Sequence, residues 1–128
     1  MADVVLGEEV SELFWEIIHR ANGQASGLER ILWEMDEAEI ARFHEEFVRI
    51  TSVLQGEPFD RMMGEDVSEA GLRDIAYWVV AQGRDFFEEI LRHPETIPRE
   101  VNETDPSIMH HVTSEVFWEK FGKMFDFF

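Results

Sequence analysis

The chain has no cysteine, which removes disulfides, thiolate nucleophiles and cysteine-ligated metals together. Positive charge is also scarce: nine Arg and two Lys stand singly, with no basic cluster anywhere. Phosphate backbones are bound by local positive charge, so direct nucleic-acid binding is not expected, nor is attraction to an anionic membrane. No apolar run approaches the ~20 residues that span a bilayer. The first residues lack a basic start followed by a long apolar stretch, so no signal peptide is expected and the expected location is cytoplasmic.

Catalytic signatures are missing as well. There is no Gly-x-Ser-x-Gly elbow, and the serines stand mostly where helices start. The glycine-containing stretch Gly23-Gln24-Ala25-Ser26-Gly27 has no Lys to accompany a phosphate. Glu8-Glu9, Glu45-Glu46 and Glu88-Glu89 are adjacent pairs; on a helix neighbours point about 100° apart, so they read as solvated faces and not as acid/base couples. No catalytic residue and no cofactor is expected, and the sequence leans away from an enzyme.

What remains is acidic and aromatic. Net charge is −17, divided about −5, −7 and −5 over residues 1–35, 36–70 and 71–128, so it forms no tail. Hydrophobic residues reach 45% and Phe alone has 11 copies, too much for a disordered acidic chain. The expectation is a single all-α domain over residues 1–128, with five or six helices in an irregular orthogonal bundle.

Helical periodicity supports this. Val10, Leu13, Phe14, Ile17, Ile18 and Ala21 share one face, and Asn22-Gly23 stops that helix. Ser26-x-x-Glu29 and Asp36-x-x-Glu39 read as capping boxes. Ile40, Phe43, Phe47, Ile50 and Leu54 form the stripe of a third helix closed by Gly56 and Pro58. The stretch from Phe59 to Val67 fits either one helical turn or a loop. Ser68 caps a helix through Val80, Gly83 breaks it, and the next ends at His93-Pro94. Residues 94–113 hold three of the four prolines and read as a connecting segment, before an aromatic helix over 114–128. Ser11-Glu12-Leu13-Phe14-Trp15-Glu16 returns as Ser114-Glu115-Val116-Phe117-Trp118-Glu119, either a chance of composition or two helices in equivalent grooves.

The residues Phe14-Trp15-x-x-Ile18, Ile40-x-x-Phe43-x-x-x-Phe47 and Trp78-Val79-Val80-Ala81-Gln82-Gly83-Arg84-x-x-Phe87, closing on His93-Pro94-Glu95, form a further pattern. It resembles the bacterial domain-of-unknown-function family 4240 over roughly residues 10–97. The resemblance implies a fold and no activity. Two departures stand out: residues 59–69 are Met-rich and acidic where that family has aromatics and glycines, and the helix after Asp105-Pro106 lies beyond the resemblance.

Several residues merit attention as sites. Glu16-x-x-His19 has the spacing of half a di-iron bundle site, but the second Glu-x-x-His is missing and no metal is expected. The adjacent His110 and His111 diverge and read as an exposed loop pair. Arg84 either serves the helix junction, on carbonyls or paired with Asp74 or Asp85, or recognises an anion beside Tyr77 and Trp78. Trp15 falls off its apolar stripe and either widens the core or lines a groove. Trp15, Tyr77, Trp78 and Arg84 are therefore the ligand-binding candidates. Phe117, Phe121, Phe125, Phe127 and Phe128 are the interface candidates: burying each Phe gains about 1.5–3 kcal/mol, so their helix either docks onto the protein's own core or meets a second copy or another protein.

Three functions follow as expectations. The first is a non-enzymatic protein-interaction or regulatory domain, binding a protein partner or a second copy. The second is an acidic immunity-protein or antitoxin-like inhibitor, or nucleic-acid mimic, of a basic partner. The third is a small ligand-binding protein or enzyme with a pocket around Arg84 and Trp78.

Overall fold

The computed structural model describes residues 10–64, 66–102 and 104–125. Among them are seven α-helices, one 3-10 turn and no strand. Helix α1 spans Glu12–Ala21, α2 Ala25–Trp33, α3 Glu37–Val53, α4 Phe59–Met63, α5 Glu69–Ala81, α6 Arg84–Arg92 and α7 Val112–Phe121; the 3-10 turn is Pro94–Thr96. Among the described residues no helix is long and apolar enough to cross a membrane.

Local chemistry sets most of the boundaries. Ser11 caps α1 by accepting the Phe14 N–H, and Asn22 ends it in the left-handed region at φ 55. The Asp36–Glu39 capping box is present in both directions, at 2.8 and 2.9 Å. Ser68 caps α5 through the Gly71 N–H. Gly83, at φ 110, separates α5 from α6 in a conformation that side chains disfavour. The ambiguous stretch after Pro58 is the single short helix α4.

The second helix departs from expectation. It begins at Ala25, ahead of Ser26, and Gln24 caps it without a side-chain hydrogen bond. A distant carbonyl takes that role instead: the Ala25 N–H donates to the Pro106 oxygen at 3.0 Å. Gly27 lets α2 press against the end of α1, since a Cβ there would lie 2.7 Å from the Ala21 oxygen.

Helix α3 is the longest, about 25 Å at 1.5 Å per residue. It packs against α1, α5 and α7, while α2 packs against α1 and α7, and α6 follows on α5. Phe14 and Phe43 stack at 5.0 Å, and Phe47 joins them and meets Tyr77 at 4.7 Å. Trp15 is buried here, between Phe14 and Phe87.

The last helix also differs from its expected course. It runs from Val112 and stops at Phe121, because Gly122 takes a left-handed conformation at φ 66. The chain then turns back, so Phe125 reaches the core outside any helix and stacks on Phe117 at 4.2 Å and on His44 at 3.9 Å. Phe127 and Phe128 lie outside the described residues. The echoed hexapeptides are not equivalent: Trp15 is buried, whereas Trp118 is 58% exposed.

Two polar expectations need correction. Glu45 is exposed, but Glu46 is buried and holds the Ser11 backbone and hydroxyl, so this pair is not simply a solvated face. His110 is half-buried, 3.6 Å from Asp74 and edge-on to Tyr77, and is not a free loop residue.

Candidate functional site

Two surfaces carry chemistry. The first is a cleft between α1 and the α5–α6 junction, with a volume of about 570 Å³, inside the range of small-molecule sites. Residues one helical turn apart on α1, Glu12 and Glu16, form one wall; Gln82, Gly83, Arg84 and Asp85 form the other. Trp15 and His19 complete it.

The donors in this cleft are distinctive. Gly83 has no side chain to cap α6, so the first-turn N–H groups of that nine-residue helix receive no side-chain cap. Arg84 projects from that turn; its Nε donates to Glu88 at 3.0 Å, and its terminal nitrogens have no partner among the described residues. Trp15 is only 7% exposed, and its Nε1–H, itself buried away from the cleft's open space, has no hydrogen-bond partner among the described residues. An unmet buried donor of this kind costs about 1–3 kcal/mol, which makes it an anomaly in a packed interior.

The four ligand-binding candidates therefore separate. Trp15 and Arg84 line one cleft. Tyr77 is buried against Phe47, where burial raises its hydroxyl pKa and a Thr51 hydrogen bond and the charge of Arg73 partly offset it. Trp78 is half-buried, edge-on to Phe86 at 5.9 Å. Arg84 pairs with Glu88, a turn along its own helix, and not with Asp74 or with Asp85. Glu16 and His19 share the cleft, and no group of three or more metal-ligating side chains occurs among the described residues.

The second surface lies at the end of α7. Trp118 and Met124, 58% and 72% exposed, flank a recess of about 360 Å³ with Ser114 and the edge of Phe125. Of the described interface candidates, Phe117 and Phe125 are buried and Phe121 packs partly against the core, edge-on to Phe117. The exposed apolar area thus falls on Trp118 and Met124, which sequence reasoning passed over in favour of the phenylalanines. A signal was available: Trp118 sits next to Phe117 on the helix, off the stripe that Val112, Val116 and Phe117 direct inward.

The described residues form an all-α bundle that carries a polar cleft between α1 and the α5–α6 junction and an apolar recess at the end of α7. The chain belongs to the family described as protein of unknown function DUF4240, whose model matches residues 10–124. That match continues past residue 97 and takes in α7, so the final helix is part of the family pattern and not an appendage. No curated protein and no solved structure gives a significant match to the chain.

Proposed function

We propose that the protein is a non-enzymatic interaction domain that docks a partner protein on the Trp118–Met124 recess. The observation that carries this is the exposure of two large apolar side chains around a recess, while Phe117, Phe121 and Phe125 of the same segment pack on the core. Exposed apolar area with a defined shape is the usual mark of a contact surface.

Charge specifies the partner. Lys120 is committed to the end of α2, donating to the Trp33 oxygen at 2.8 Å and to the Met35 oxygen, and Lys123 pairs with Glu37 at 2.9 Å. Glu115 and Glu119 stay exposed on α7, in a protein of net charge −17. The complement is a polypeptide segment presenting one apolar side chain among Lys and Arg residues. This includes a basic protein inhibited by an acidic cover.

A photocrosslinker at position 118 tests the reading. The expected result is a defined adduct with one basic protein whose affinity drops with added salt and with Trp118→Ser, while Trp118→Ser melts like the parent. Adducts only with a second copy, together with doubled mass in light scattering, would make the recess a self-association surface and refute the basic-partner reading.

A further inference from the structure

We infer that Met124 is a site of oxidation by peroxides, and that its sulfoxide shuts the recess at the end of α7 to an apolar side chain. The oxidation stands on exposure and chemistry alone; its effect on docking rests on the reading of the recess as a partner surface.

The chain holds six methionines and no cysteine, so every sulfur that a peroxide meets on it is a thioether. A thioether has no proton to lose before it reacts, and access to the sulfur decides which one is oxidised. Access is very unequal. Met63 and Met109 are packed in the core, and Met35 lies partly buried against it. Met62 is 37% exposed and Met124 72%, while Met1 lies outside the described residues. The turn at Gly122 accounts for Met124: the chain reverses there, Phe125 takes the inward place against Phe117 and His44, and its neighbour is left outside.

The reaction needs no catalytic group from the fold. The Met124 sulfur attacks one oxygen of hydrogen peroxide, an S–O bond forms and the O–O bond breaks. The proton of the transferred hydroxyl passes to the departing oxygen, which leaves as water. Sulfur gives up two electrons and the peroxide takes them.

The recess changes character as a result. Trp118, Met124 and the edge of Phe125 line it, with Ser114 as their hydroxyl-bearing neighbour. A thioether is soft and follows the contour of an apolar partner side chain. A sulfoxide oxygen is a strong acceptor, and covering it with an apolar side chain strips its water without supplying a donor. Docking is therefore opposed, while the fold is spared because Met124 stands mostly in solvent. The same lesion at Met63 or Met109 would disrupt the core.

Timed exposure of the full chain to hydrogen peroxide, read by peptide mapping in a mass spectrometer, tests the site. Among residues 10–125, Met124 should gain oxygen first, at least roughly twofold faster than Met62, with Met63 and Met109 reacting only when urea unfolds the chain. The oxidised chain should melt within about 3 °C of the parent. The photocrosslinker at position 118 reads the consequence. Capture of the basic protein should fall at least roughly fivefold after peroxide and return after treatment with a methionine sulfoxide reductase. Met124→Leu, which keeps an apolar side chain without sulfur, should keep its capture through the same treatment. The inference is overturned if Met62 is oxidised as fast as Met124, if the oxidised chain captures its partner as well as the untreated one, or if Met124→Leu loses capture to peroxide as the parent does. A chain that captures nothing before peroxide would sink the partner reading and the switch with it, and the peptide map alone would still uphold or overturn the oxidation site.

Discussion

Glu46 grips Ser11 with both carboxylate oxygens: Oε1 accepts from the Ser11 hydroxyl at 3.0 Å and Oε2 from the Ser11 backbone N–H at 3.1 Å. The same hydroxyl accepts the Phe14 N–H at 3.2 Å, so a glutamate on α3 orients the residue that caps α1. Arg42 stands 3.7 Å from the carboxylate on the solvent side.

Removing this clamp should be costly. Glu46→Ala strands two donors of Ser11 and slackens the cap, an expected loss of about 2 kcal/mol. Glu46→Gln keeps an acceptor and should lose less. Urea unfolding of the two variants against Ser11→Ala, in a double-mutant cycle, checks both the size and the coupling; additive losses would show that the two residues act separately.

Phe125 and Met124 are neighbours with opposite surroundings. Phe125 is buried against Phe117 and His44, and Phe125→Ala should cost about 3 kcal/mol. Met124 is 72% exposed, and Met124→Ala should leave the melting temperature within about 3 °C of the parent, since surface changes stay within about 0.5 kcal/mol. Thermal denaturation of the pair tests whether the chain turns back at Gly122.

A Cβ added at Gly83 would meet open space, yet φ there is 110. Gly83→Ala should therefore be destabilising by about 1–2 kcal/mol through backbone strain alone, with no steric clash. Urea unfolding gives the size, and a structure of the variant with unmoved neighbours would separate strain from repacking.

His110 makes stability depend on pH. Burial first, then the charge of Arg73, lowers its pKa below the ordinary 6.5; Asp74 opposes this and His111 reinforces it. The unfolded chain thus binds the proton first as the solution is acidified. Stability from this group is complete above about 6.5 and declines as pH falls from there toward the lower folded value. His110→Gln should flatten that part of the melting-temperature profile, and imidazole titration by NMR should place His110 below the unfolded value. An unaltered profile in the variant would assign the dependence elsewhere.

The pattern of sequence and structure follows from what each kind of interaction encodes. Caps formed by near neighbours, such as Ser68 on Gly71 and Asp36 on Glu39, were legible because both partners lie within one helical turn. Ser26 misled for the complementary reason: the start of α2 is satisfied by Pro106, far along the chain, and no local pattern reports such a contact. Glu46 and His44 were passed over as polar, although spacing already set them inward: His44 is four residues from Ile40 and three from Phe47, and Glu46 three from Phe43 and four from Ile50. His44 Nδ1 meets the Thr113 hydroxyl at 2.6 Å, a partner that only the tertiary fold supplies. In the cleft, Trp15 and Arg84 stood out singly in the sequence. Their convergence on one cavity, and the separation of Tyr77 from it, depend on how α1 crosses the α5–α6 junction.

The link between Pro106 and Ala25 has a consequence for how the molecule is made. Ser107 joins it by donating its hydroxyl to the Gly23 oxygen at 2.9 Å, and Lys120 finishes the far end of α2. Both ends of α2 are thus completed by residues synthesised well after it. A ribosome-bound chain that already includes α1 to α6 still has α2 unsecured at each end. Helix α2, translated ahead of α3 to α7, is in this respect among the last to be locked.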